Sequence, residues 1–366
     1  MAVSRRNVLA VTCASIWTLG AFAGVEVGVV NWDCSLPSDT FFGGYATRSL
    51  GPEKFRRATP FYADVLGKDR IEYHRRTVEE YEREMQYAID AGIDYFAYCW
   101  YDATVSNTLA AISTPQNNLC NPHVHELTAA RKLHVRSMRL RERLKLCAIL
   151  VTVHPYTDGE IGRLAEAMRE RYYQCALGRP LVYLFAGTGA NQRLLTRLRA
   201  ACRKVGAGDP YAVLMGYGRH SGEGDEGVQA LSAYADAKGG IKSFAELAAH
   251  GVACNAKRVA SGMSVVPHFT VGWDPRPRID HPVPWCGYAN TSYAPPATED
   301  ELVAGARTLA EWIRGNHESC AAGHVLAFAW NEWEEGGWIC PSWGAQGPDV
   351  SRTDAFAKCI RLWKGL

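Results

Sequence analysis

The chain has 366 residues, 47% of them hydrophobic and 11% aromatic with eleven Trp, and a formal charge of +2. That length and apolar content suffice for one α/β barrel with long loops or for two smaller domains. The near-neutral charge, with no basic run interleaved with aromatics, gives no electrostatic case for a nucleic-acid partner.

Twelve cysteines make no CxxC pair and no Cys/His cluster of zinc spacing, so neither a metal nor a cofactor is called for. Cys99, Cys147 and Cys202 fall inside apolar patterns, where a thiol serves as a small hydrophobe. Cys34, Cys120, Cys286, Cys320 and Cys340 fall in loops and can pair if the protein is exported.

Residues 1–24 read as a leader. Ser4-Arg5-Arg6-Asn7-Val8-Leu9 resembles a twin-arginine signal, Val8 to Gly24 is nearly uncharged, and Ala21-Phe22-Ala23 is a small-x-small cleavage site. The apolar stretch is short for a membrane anchor. An exported protein without stable membrane insertion is the expectation, and a cytoplasmic one the alternative. The catalytic-sized unit is then 25–366.

Val25 to Trp32 reads as a first strand, placing Trp32 and Asp33 at its end; a turn cap is the plain alternative for Asp33. Residues 34–75 read as a long aromatic-rich loop, and long loops in compact domains tend to be functional. Thr77 to Ala91 is a helix with a Thr77–Glu80 capping box and a stripe of Val78, Tyr81, Met85 and Ile89. Ile93 to Tyr101 is a buried strand ending in Trp100 and Tyr101. Asn121-Pro122 suits a helix start. Seven basic residues between Arg131 and Lys145 read as a solvated helix and loop, with an anion site as the alternative.

Leu146 to Val153 forms strand three, with His154 at its end as a group for sugar hydroxyls, for tuning a carboxylate, or for structure alone. Asp158 caps the next helix. Strands four to six are Leu181–Ala186, Tyr211–Tyr217 and Val228–Tyr234, and Tyr217 reaches the rim. Ser243–Glu246 and Thr298–Glu301 are further capping boxes. Met263 to Thr270 is strand seven, followed by Gly272-Trp273-Asp274-Pro275-Arg276-Pro277-Arg278. This run is dense with groups that stack on, accept from and donate to hydroxyls, although an internal Asp–Arg pair explains it equally. Val325 to Trp330 is strand eight, and Asp354 to Trp363 a closing helix. Eight strands alternating with helices predict a single-domain (β/α)8 TIM barrel with long strand-to-helix loops.

Strand eight runs into Asn331-Glu332-Trp333-Glu334-Glu335-Gly336-Gly337. Glu332 and Glu335 are three apart, so on a helical or 3₁₀ turn they share one side. A close carboxylate pair suits a retaining glycosidase and a wider one an inverting glycosidase. A strand cap of solvated acids and core tryptophans is the non-catalytic reading.

The phrase AWNEWEEG resembles the final-strand motif of glycoside hydrolase family 99 and of WbsX-like polysaccharide enzymes. The GWDxRPR run and the passage Gly92 to Tyr101 resemble the same group. The resemblance implies a barrel that cleaves α-mannan-type chains with retention. By it, Glu332 removes the sugar 2-hydroxyl proton to give an anhydrosugar, and Glu335 is the acid/base. It makes Trp100 and Tyr101 candidate sugar platforms, and Trp273, Asp274, Arg276, Asn331 and Trp333 candidate substrate contacts. A polysaccharide-building glycosyltransferase and a non-catalytic carbohydrate-binding barrel are the other readings.

Overall fold

Eight short apolar runs supply the strands: β1 (Glu26–Asn31), β2 (Tyr95–Cys99), β3 (Lys145–Val151), β4 (Arg179–Phe185), β5 (Tyr211–Met215), β6 (Ala230–Ser232), β7 in two parts (Ser264–Val265 and His268–Thr270) and β8 (His324–Phe328). Nearly every residue in them is buried, without polar alternation, as strands covered on both faces require. The computed structural model describes residues 24–101, 122–152, 154–185, 190–216, 227–288 and 292–366. Apart from Gly24, the expected leader lies outside these residues, as does Tyr217.

All neighbours are parallel, and β1 lies between β2 and β8. The two ends of the sheet path are the two parts of β7: Ser264–Val265 pairs with β6 and His268–Thr270 with β8. Val266 donates to Leu231 O (2.9 Å), and Pro267 O accepts from Leu326 (2.9 Å), so the changeover falls at that dipeptide. Proline lacks an N–H, which breaks the run there without opening the sheet. The sheet is therefore a curled (β/α)8 barrel in one domain.

The helices follow their caps. In α2 (Val78–Ala91) Thr77 and Glu80 exchange hydrogen bonds, and Thr298 and Glu301 do the same for the helix Glu299–Gly315. The cap of the helix Asp158–Ala167 is Thr157, in a box with Glu160, and not Asp158. Ser243 caps Phe244–Ala260, but Glu246 reaches Lys242 N (2.8 Å) and leaves the box half made. After strand two, Pro122–Thr128 is 3₁₀ and only Ala129–Arg136 is α-helical. The closing helix Ser351–Lys364 lies on the helix Glu299–Gly315, where Trp363 donates its indole N–H to Ala306 O (3.0 Å).

The stretch expected as a loop, 34–75, is regular over about half its length. It holds α1 (Phe41–Leu50), a 3₁₀ turn (Glu53–Ala58) and a small hairpin of Asp64–Val65 with Ile71–Glu72. Thr40 caps α1 by accepting from Gly43 N (3.1 Å). Among the described residues the ten cysteines are all unpaired; Cys34, Cys320 and Cys340 are buried as thiols. No described helix is long and apolar enough to cross a membrane.

Candidate active site

The C-terminal ends of parallel barrel strands are where side chains from several strands converge. Here β8 ends and the chain makes a two-residue extension, Asn331–Glu332, then a 3₁₀ turn, Trp333–Glu335. That turn brings the two expected glutamates to one side. Gly336 ends it in the left-handed region (φ 76°), and a Cβ there would strike the backbone of Asp274. Gly272 is pressed equally closely on Gly336 O, and Asp274 N donates to Glu335 O (2.6 Å). The run after β7 and the run after β8 are thus joined backbone to backbone.

The charged centre is Arg278, in the short helix Arg276–Asp280 and only 5% exposed. Its Nη1 bonds Glu335 Oε1; its Nη2 lies 3.4 Å from Glu334 Oε2 and 3.6 Å from Glu332 Oε2. Nη1 also donates to Tyr288 Oη (3.2 Å), and the Tyr288 hydroxyl donates to Glu335 Oε1. Tyr234, just past β6, donates to Glu332 Oε1 (2.5 Å). Ser49 of α1 donates to Glu334 Oε1 (2.5 Å), so Glu334 is spent on anchoring that inserted helix.

The two remaining carboxylates differ. Burial, then the neighbouring charge of Glu335, pushes Glu332 well above the ordinary carboxylate range against the pull of Arg278 and Tyr234. Its Oε2 is buried without a hydrogen bond. Glu335 has both its donors on Oε1; Oε2 takes none, and the side chain is 12% exposed. One carboxylate is therefore sealed and proton-hungry, and the other turns a free oxygen outward. Three carboxylates around one guanidinium leave this centre net negative.

The other expected residues divide. Asn331 lies at the site but holds backbone: it accepts from Trp32 N (2.8 Å) and donates to Asn31 Oδ1 (3.1 Å). Trp32 is half-buried and meets Tyr101 edge-on at 5.9 Å. The hydroxyl of Tyr101, itself buried, has no partner. Trp273 packs at 6.1 Å on Tyr288 and 6.0 Å on Phe328, beside Glu335's donor. These stay within the site.

Five do not. Asp33 pairs with Arg76 (2.7 Å) beneath the rim. Trp100 is buried under the Arg131 guanidinium (3.7 Å) rather than open to a sugar face. His154 is buried against Glu160 (3.3 Å), the partner of Thr157 in the capping box of the next helix. Trp333 is buried in a stack on Trp338 (5.8 Å), turned away from the glutamates flanking it. Asp274 and Arg276 form the internal pair (2.6 Å) that the sequence also allowed, with Arg276 over Tyr293. Arg278, not Arg276, is the arginine of the run that meets the carboxylates.

Arg278, Tyr234 and Tyr288 are the residues the sequence reading missed. Arg278 stood inside the motif, and Tyr234 closed the sixth expected strand. Tyr288 lies in an irregular stretch with no periodic signal.

In comparisons with known proteins, no family model and no curated protein matches the chain. Among solved structures, it resembles a GH99 endo-α-mannosidase from Bacteroides thetaiotaomicron in complex with bis-tris-propane, with TM-score 0.53, 13% identity, and 92% of this chain and 95% of that one covered. A second structure of the GH99 endo-α-mannosidase from that organism gives TM-score 0.50, 14% identity and 84% coverage of each chain. At such identity the likeness establishes the barrel fold.

Proposed function

We propose that the protein is a glycoside hydrolase that cleaves an α-linked, mannan-like glycan with retention, using Glu332 and Glu335. The observation carrying this is the unlike pair on one guanidinium: two carboxylates close enough to share Arg278, one sealed by Tyr234, one with an outward oxygen. A pair pushed apart in character is how one site runs acid and base chemistry. The fold shared with the GH99 enzymes, and the motif spacing, agree with it.

In this reading Glu332 takes the sugar 2-hydroxyl proton, a task suited to a carboxylate of high proton affinity. The freed oxygen attacks the anomeric carbon, the glycosidic bond breaks, and Glu335 gives its proton to the leaving oxygen through Oε2. Water then opens the anhydrosugar with the transfers reversed. These steps require Glu332 to be ionised and Glu335 to carry the proton when substrate enters, so substrate binding must overcome the burial that favours the neutral form of Glu332. Trp32 and Trp273, both half-buried, are the aromatic surfaces for the sugar.

The test is release of oligosaccharides from a panel of α-mannans, read by mass spectrometry, for the wild type and Glu335→Gln. The expected result is products from the wild type and a turnover loss of about 10²–10⁴-fold in the variant. Equal activity in both removes Glu335 as the acid. Glycan binding without products from the wild type moves the protein to the carbohydrate-binding class.

A further inference from the structure

The basic run 131–145 is sorted by the fold. Arg131 covers Trp100, Arg139 pairs with Glu82 (2.8 Å), and Arg141 reaches Val135 O (2.9 Å). Lys132 and Arg136 do none of this. They stand one turn apart on the helix Ala129–Arg136, both exposed, with no hydrogen bond or ion pair to any described residue. Like charges at this spacing repel by a few tenths of a kcal/mol, to about 0.5 kcal/mol. Arg136 gains from the helix C-terminus, but Lys132 sits a turn earlier.

Across from them Arg75, also exposed and unpaired, faces the same cleft, which encloses about 480 Å³. Its single acidic lining residue, Glu126, is already engaged by Phe41 N (3.4 Å), Phe42 N (3.3 Å) and His123 (3.2 Å). His74, at the edge, is shared between Asp64 and Glu80. Three cations without a hydrogen-bonded or ion-pair partner among the described residues, from two elements, therefore line the cleft against one carboxylate. Ser35 and Leu36 also line the cleft and directly follow the buried Cys34. The segment that leaves β1 joins the two places: its residues Ser35 to Pro37 and Thr40 line the cleft, and further along it Ser49 of α1 holds Glu334.

We propose that this cleft binds an anionic substituent, a carboxylate or a sulfate ester, on a sugar residue of the glycan whose bond lies at Glu332 and Glu335. This rests on the glycosidase reading for the identity of the bound chain. The volume takes a sugar unit, the polar wall suits hydroxyls, and the cations supply charge complementarity that a neutral mannan would leave unused.

Binding of three oligosaccharides of equal length to the full chain tests it: a neutral α-mannan, a sulfated one, and one containing hexuronate, at low and at physiological salt. The expected result is at least tenfold tighter binding of an anionic probe than the neutral one at low salt, shrinking as salt rises, and lost in the Lys132→Glu/Arg136→Glu double variant with neutral binding unchanged. Which anionic probe gains identifies the substituent. Arg75→Gln, a milder change, should lose part of the preference. Equal affinity for all three, no binding of any, or a preference surviving the double variant overturns the proposal. Turnover is scored separately: preference without products sinks only the hydrolase reading, and products without preference only this one.

Discussion

Two buried guanidiniums stand near the ends of β1 and β8, and they are used in opposite ways. Arg76 is held by Asp33 and Glu84, and Glu84 also accepts from the Trp330 indole (2.7 Å). Tyr62 and Tyr81 cover its faces at 4.3 and 5.0 Å. Arg278 meets three carboxylates, each of which accepts from one hydroxyl (Tyr234, Ser49 and Tyr288), and Glu332 keeps an unbonded oxygen and Arg278 an unbonded Nε, as Asp33 keeps an unbonded Oδ1 in the first cluster. Both clusters carry excess negative charge. What separates them is access: Asp33 and Glu84 side chains are each 1% exposed, whereas Glu335 reaches outward. A buried ion network becomes a candidate for chemistry when one of its members keeps an accessible, unsatisfied atom.

The contrast can be broken most directly at Arg76. Arg76→Met should destabilise the fold by about 3–5 kcal/mol, because it strands two buried carboxylates. Chemical denaturation measures this, and a cost under 1 kcal/mol would mean that the cluster is not the structural one. Glu332→Gln should act the other way, and with a pH signature. A carboxyl whose folded pKa is raised gives stability that is complete below its unfolded pKa, about 4.3, and lost as pH climbs through the folded value. The melting temperature of the variant should therefore equal the wild type near pH 4 and exceed it increasingly at pH 6 and 8. A flat difference would show that Glu332 is ionised at no cost. Smallest, Ser49→Ala should cost about 1–2 kcal/mol, since it removes the donor to Glu334 from α1. No change in the denaturation midpoint would detach α1 from the site.

The barrel was legible in the sequence because its strands are continuous apolar runs between caps, and Thr77, Ser243 and Thr298 sit where the helices begin. The break at Pro267 was legible as a residue but not as the point where one strand changes partners, since pairing is a property of the closed sheet. The helix at 41–50 hid behind Gly43-Gly44, poor helix formers. It is held by packing and by Ser49 on Glu334, contacts with residues far along the chain. At the site, the glutamate spacing was enough to expect two carboxylates side by side. It could not say which arginine of the run would face them. Arg276 and Arg278 are two apart on one short turn and point to different sides, so the choice waits for the turn's orientation. Trp100 and Trp333 stood beside motif residues yet went to the core, because a large indole next to a strand end is stabilised by burial as readily as by a ligand.

The seam between the runs after β7 and β8 also bears on how such a protein can be altered. Gly272 abuts Gly336, and Asp274 N binds Glu335 O, so neither loop has a shape of its own. A library that diversifies one while keeping the other will mostly sample mismatched halves. The transplantable module is the pair of segments together with the two barrel strands that carry them, exchanged as one cassette between related scaffolds.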